Sequence, residues 1–119
     1  MIGFGSRAHL YARPEAREPL KAFFARIFGC DPETIPGTTM LLCRMDDGTS
    51  VSVEFTPDAL DDEHALRGAW LEVRTDDPEA LRSRVTAAGL PQVKKDGSDR
   101  FYFRAPGGQV WGINAMPRS

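Results

Sequence analysis

Alternating apolar and polar residues form the clearest pattern in the first half of the chain, over residues 49–56. Side chains on a strand point alternately to the two faces of a sheet, so this segment predicts a strand with one buried and one polar face. The turn Asp46-Asp47-Gly48 precedes it and predicts a hairpin with a strand over residues 38–45. The apolar face would carry Val51, Val53 and Phe55, and the polar face Ser50, Ser52 and Glu54.

Two other segments repeat apolar residues at the three- and four-residue spacing of an amphipathic helix. The first covers residues 15–28, follows a short strand over residues 8–12, and ends at Gly29, a residue typical of helix C-caps. The second covers residues 80–88, where Asp77 can cap the N-terminus, Pro78 suits the first turn, and Gly89 ends the helix. The predicted buried stripes are Leu20, Phe23, Phe24, Ile27 and Phe28 in the first helix, and Leu81, Val85 and Ala88 in the second.

The second half repeats the order of the first. A strand pattern over residues 69–75 precedes the second helix, and an aromatic run, the turn Pro106-Gly107-Gly108 and an apolar run then predict a closing hairpin. The pattern of each half predicts a strand, a helix, a short strand and a hairpin. We therefore predict an α+β fold of two βαβββ modules within a single domain of residues 1–119. The modules would cover about residues 5–57 and 67–115. In this repeat His9 corresponds to Trp70, and Glu54 to Gly112.

Composition narrows the class of protein. The chain has 119 residues, of which 41% are hydrophobic and 27% charged, which suits one globular domain with a modest core. A net charge of -2 with basic residues scattered among acidic ones predicts no nucleic-acid partner. No apolar run has the length of a membrane span, so we expect a soluble, cytoplasmic protein with no membrane partner.

Three residues with reactive or aromatic side chains have structural interpretations. Cys30 and Cys43 lack the close spacing of a metal-binding pair, and we expect both to be free thiols. Trp111 alternates with Gly112 and shares a face with Ile113, so we expect it in the core.

The order and spacing of these elements resemble the vicinal oxygen chelate superfamily, which includes glyoxalases, bleomycin-resistance proteins and extradiol dioxygenases. The likeness covers nearly the whole chain and implies curved mixed β-sheets around a cleft. It also implies a homodimer, in some relatives with exchanged modules. The matching segments are His9-Leu10-Tyr11, residues 25–29, residues 51–55, Leu71-Glu72-Val73 with residues 75–77, and Pro106-Gly107-Gly108-Gln109.

The resemblance also implies where a metal would bind. In metal-using members, four ligands come from the first and last strands of each half, and these positions are His9, Glu54, Trp70 and Gly112 here. Histidine and carboxylate suit a divalent cation, but Trp70 and Gly112 cannot donate, and catalytic sites usually have three protein ligands. Unless Glu72, His64 or a partner chain completes the set, the metal site is lost, so we expect no cofactor, with a divalent metal as the alternative.

The remaining polar residues define the expected site. His9 and Glu54 would form a hydrogen-bonded acid/base pair, the catalytic pair if the protein is an enzyme, or be a satisfied strand histidine and a solvated carboxylate. Two functions follow from the resemblance: a small-molecule-binding protein of the bleomycin-resistance type without a complete metal site, or a metal-dependent lyase, isomerase or dioxygenase in which His9 and Glu54 hold the ion. The predicted ligand-binding residues are Tyr11, Ser50, Ser52, Trp70, Glu72, Arg74 and Tyr102.

Overall fold

The structure is a computed structural model that describes residues 1–66, 68–95 and 97–116. The chain divides into two compact units, Met1–Leu60 and Asp61–Ser119, which we call the first and the second module. Each contains a four-stranded mixed sheet and at least one helix, which confirms the predicted α+β fold with two repeated halves.

The first module begins with β1 (Arg7–Ala12), a 3₁₀ turn (Pro14–Ala16) and α1 (Arg17–Phe23), and α1 continues into a π-helical turn (Phe24–Phe28). Gly29 ends this helix with a positive φ of 71°, as its predicted C-cap role requires. The remaining strands are β2 (Glu33–Thr34), β3 (Leu41–Arg44) and β4 (Ser50–Phe55). Their order in the open sheet is β1-β4-β3-β2, with β1 and β4 parallel.

The second module has a corresponding sheet. A single turn of helix, α2 (Asp62–Ala65), leads to β5 (Trp70–Thr75), α3 (Pro78–Ala87), β6 (Gln92–Val93), β7 (Phe101–Arg104) and β8 (Val110–Ala115). The order is β5-β8-β7-β6, with β5 and β8 parallel. The side chain of Asp77 accepts a hydrogen bond from the Ala80 backbone N–H, which confirms the predicted N-cap.

The apolar side chains predicted from periodicity supply part of each core. The core also contains residues that were not predicted for it, among them Leu41, Phe103, Val110 and Tyr102, which was expected to line the ligand site. Trp111, with 3% of its surface exposed, is buried beside β7 as expected, whereas Ala88 lies exposed beyond the end of α3, contrary to prediction. The buried residues include Leu20, Phe23, Phe24, Ile27, Leu41, Val51 and Val53 in the first module, and Leu81, Val85, Tyr102, Phe103, Val110 and Ile113 in the second.

The prediction of free thiols is wrong. Cys30 and Cys43 form a disulfide, with their Cα atoms 6.2 Å apart. Cys30 follows the C-cap Gly29, and Cys43 points inward from β3, so the packing of the helix on the sheet brings the two sulfur atoms together. The bond therefore ties the end of the first helix to the sheet beneath it.

In the part of the chain that the structure describes, no helix is long and apolar enough to cross a membrane.

Candidate functional site

A chain of three polar side chains lies on the first sheet. The parallel register of β1 and β4 pairs His9 with Ser52 and Tyr11 with Glu54. The His9 Nδ1 atom lies 2.7 Å from Ser52 Oγ, and the Nε2 atom lies 3.2 Å from Glu54 Oε1. The side chains of His9 and Glu54 are 35% and 46% exposed, so both are within reach of a molecule in solution.

The other two predicted site residues of the first module, Tyr11 and Ser50, lie outside the hydrogen-bonded chain of His9, Ser52 and Glu54. Tyr11 lies two residues beyond His9 on the same face, with the two rings edge to face at 5.1 Å, and is 61% exposed. Ser50 is half-buried at the start of β4, where its backbone N–H donates to the Ser6 carbonyl. Of the predicted residues in this module, the structure brings His9, Ser52, Glu54 and Tyr11 together.

The second sheet carries an aromatic cluster at the corresponding place. The rings of Trp70 and Tyr102 meet edge to face at 5.1 Å, and they lie over Gly112 on β8. A Cβ atom on Gly112 would lie 2.9 Å from Tyr102 Cε1 and 3.1 Å from Trp70 Cζ3, closer than carbon atoms normally pack. Gly112 is therefore required by the two rings, which fill the space that a longer side chain would need.

Charged groups surround the aromatic cluster. The Arg100 guanidinium lies 5.4 Å from the centre of the Trp70 ring and donates to Glu72 at 3.2 Å. Asn114 also donates to Glu72, at 3.4 Å, and the Lys95 ammonium lies 5.7 Å from the centre of the Tyr102 ring. Glu72 is thus tied to Arg100 and Asn114. Arg74 is exposed further along β5.

Several residues of this cluster were not predicted. Arg100 and Lys95 precede β7 in a loop, where alternation gives no orientation, and Ser98, whose hydroxyl lies 3.2 Å from the Tyr102 hydroxyl, is in the same loop. Asn114 could have been found, because it lies two residues beyond Gly112 on the same strand and so shares its face.

The side chains present do not fit the metal site that the resemblance implies. Among the described residues, no three or more His, Cys, Asp or Glu side chains are grouped so that they could hold an ion. His9 and Glu54 are one nitrogen and one carboxylate donor, and His64 is engaged with Asp61 at 2.6 Å. At the equivalent place in the second module, aromatic rings occupy the space over Gly112.

Comparison with known proteins identifies the fold. No protein-family model matches the sequence, and no curated protein matches it with significance. Among solved structures, the antibiotic-binding protein TnmS3 from Streptomyces sp. CB03234 is similar over 98% of this chain and 98% of its own, with 21% identity and a TM-score of 0.70.

Two further structures show the same likeness. The fosfomycin resistance protein FosX from Listeria monocytogenes has 12% identity and a TM-score of 0.72, over 98% of this chain and 96% of its own. A glyoxalase/dioxygenase from Nostoc punctiforme has 15% identity and a TM-score of 0.73, over 95% of this chain and 90% of its own. With its repeated modules and their shared strand order, the chain has the fold of the vicinal oxygen chelate superfamily.

Proposed function

We propose that this protein binds a small organic molecule without a metal ion held by the chain. The packing of Trp70 and Tyr102 over Gly112 carries this proposal. In the second module, the rings occupy the space in which a metal-binding side chain would lie, and the Trp70 ring offers aromatic surface in its place. A site of this kind recognises its ligand by stacking and charge.

The ligand class follows from the exposure of the cluster. Trp70 is half-buried and can present ring surface to a ligand, whereas Tyr102 is 4% exposed and contacts the Trp70 ring edge to face. Arg100, whose guanidinium is paired with Glu72, and Lys95 place cationic groups beside the rings. We therefore expect a planar aromatic molecule that carries an anionic group, with the ring system against Trp70 and the anion beside the two cations.

Two structural neighbours support a binding role. TnmS3 is an antibiotic-binding protein, and FosX is a fosfomycin resistance protein. Both share the fold with this chain at low identity, so they support the class of function rather than a particular ligand.

Metal-dependent chemistry is the second candidate, a lyase, isomerase or dioxygenase of the glyoxalase type. The approach of the His9 imidazole and the Glu54 carboxylate to 3.2 Å favours it, because these two groups suit a divalent cation. One crystal structure of FosX is a complex with Mn(II) and sulfate.

Equilibrium dialysis with anthraquinone-2-sulfonate, a planar anionic probe, separates the two candidates. We expect the wild-type protein to bind the probe equally well in chelator and in Mn²⁺. Trp70→Ala should weaken binding about tenfold, the equivalent of about 1.4 kcal/mol, because the stacking surface is removed.

The matched control is Phe101→Ala. Phe101 also lies beneath an arginine, with the Arg82 guanidinium 5.3 Å from its ring centre, but it alternates with Tyr102 and so faces the other side of β7. This variant should bind the probe as the wild type does. Binding that requires Mn²⁺ and is lost in His9→Ala would support the metal-dependent candidate and overturn the proposal.

We further propose that residues 1–119 work as one glyoxalase-like domain in a cytoplasmic homodimer. Light scattering on the purified protein would measure the oligomeric state. Fractionation of cells that produce the protein tests its location, and its presence outside the cytosolic fraction would overturn that part of the proposal.

A further inference from the structure

The hydrogen bonds of His9 determine where its proton lies. A carboxylate can only accept hydrogen bonds, so the contact between Glu54 Oε1 and His9 Nε2 places the N–H on Nε2. In the neutral imidazole the Nδ1 atom then carries a lone pair, and the Ser52 hydroxyl, 2.7 Å away, donates to it. The three residues therefore form a directed chain from hydroxyl through imidazole to carboxylate.

This arrangement has the same order of roles as a nucleophile, a general base and the acid that orients the base. Such triads are recognised by geometry and roles rather than by fold or chain order. The ring nitrogens are exchanged here relative to the serine proteases, where Nε2 faces the serine, but the imidazole can accept the hydroxyl proton through either nitrogen. Strand pairing holds the geometry, because Ser52 is the register partner of His9, and Glu54 follows on the same face of β4.

Accessibility supports a chemical role for the serine. Ser52 is half-buried, and the side chains of His9 and Glu54 are partly exposed, so a small electrophile can approach the hydroxyl. Tyr11 lies beside the His9 ring with its side chain largely exposed, and it adds an aromatic surface next to the serine.

We propose that Ser52 is an acylation site, activated by His9 and Glu54, for small activated carboxylic esters. In the first step the Ser52 Oγ atom bonds to the acyl carbon, its proton passes to His9 Nδ1, and the ester C–O bond breaks. The leaving oxyanion takes that proton from His9 and departs as the alcohol or phenol, while Glu54 stabilises the intervening imidazolium. Water then attacks the acyl-serine, which releases the carboxylic acid and restores the hydroxyl.

The test is acetylation by p-nitrophenyl acetate, in chelator, followed by intact mass and peptide mapping. We expect one acetyl group on Ser52 and its loss in Ser52→Ala. His9→Gln should slow acetylation about 100-fold, the usual size of a general-base contribution, and Glu54→Gln should slow it by less.

Ser83 on α3 provides the control for simple exposure. It is exposed whereas Ser52 is half-buried, so Ser83→Ala should leave the acetylation rate unchanged. Circular dichroism and thermal melting establish that each variant is folded, and Ser52→Cys provides a second nucleophile if the alanine variant does not fold. Labelling of another residue instead of Ser52, or a wild-type rate in His9→Gln, would overturn the proposal. Because the probe reacts in the first module and the aromatic cluster lies in the second, failure here leaves the binding proposal intact.

Discussion

The two modules have the same strand pairing but carry different side chains at the paired positions. In the first, Tyr11 pairs with Glu54, and in the second the equivalent pair is Glu72 with Gly112. The Glu54 carboxylate accepts a hydrogen bond from the His9 imidazole, whereas the space beside Gly112 is occupied by two aromatic rings. Gly112 is therefore a packing requirement of the second module, because the Trp70 and Tyr102 rings occupy the space over it.

The modules also differ in how the helix is joined to the sheet. The first module has the Cys30–Cys43 disulfide between the end of its helix and β3. In the second module, α3 lies on its sheet through apolar contacts of Leu81 and Val85. Reduction should therefore affect the first module selectively.

The largest effect is expected from removing that cross-link. Cys30→Ala with Cys43→Ala opens a loop of sequence separation 13 and should lower the free energy of unfolding by about 3 kcal/mol. Urea unfolding measures it, and adding reductant to the wild type should have a similar effect while leaving the double variant unchanged. Equal stability of the oxidised and reduced wild type would contradict the cross-link.

A smaller but more specific loss is expected at Gly112. Gly112→Ala should lower the free energy of unfolding by about 1–3 kcal/mol. The added methyl group would force the Tyr102 and Trp70 rings apart, because these rings already occupy the space beside Gly112. Gly5→Ala is the control, since a Cβ atom there meets nothing within 4 Å. Combining Gly112→Ala with Tyr102→Leu should cost less than the sum of the two, and simple additivity would mean that the ring does not press on this glycine.

The smallest effect should separate stability from binding. Arg100→Ala removes an ion pair with Glu72 and a contact with Trp70, and Arg82→Ala removes an ion pair with Glu79 and a contact with Phe101. Both pairs are partly exposed, so each variant should lose about 0.5–1 kcal/mol in urea unfolding. Only Arg100→Ala should weaken binding of anthraquinone-2-sulfonate, and equal binding by the two variants would show that Arg100 takes no part in binding the anion.

The fold was predictable because apolar periodicity is a local property. Val51 and Val53 alternate with polar residues, Leu20 and Phe23 follow helical spacing, and Gly29 ends the helix as its residue type predicts. These patterns gave the order of elements, and the repetition of that order gave the superfamily resemblance.

The site was predictable only in part, because strand register and loop conformation are not local. Alternation placed Ser52 on the face of Glu54, but the parallel pairing of β1 with β4 is what puts its hydroxyl on His9. The disulfide was missed for the same reason, since it depends on where the helix lies on the sheet. Arg100 lies in a loop, whose side-chain direction no periodic pattern gives.

Ligand binding without a metal at the aromatic cluster over Gly112 is tested most directly by a nuclear magnetic resonance titration of the wild-type protein with anthraquinone-2-sulfonate in chelator. The titration follows the indole N–H signals of Trp70 and Trp111. We expect the Trp70 signal to shift to saturation, while the signal of Trp111, which is 3% exposed in the core, stays in place. A Trp70 signal that does not move, or that moves only after Mn²⁺ is added, would contradict the binding proposal.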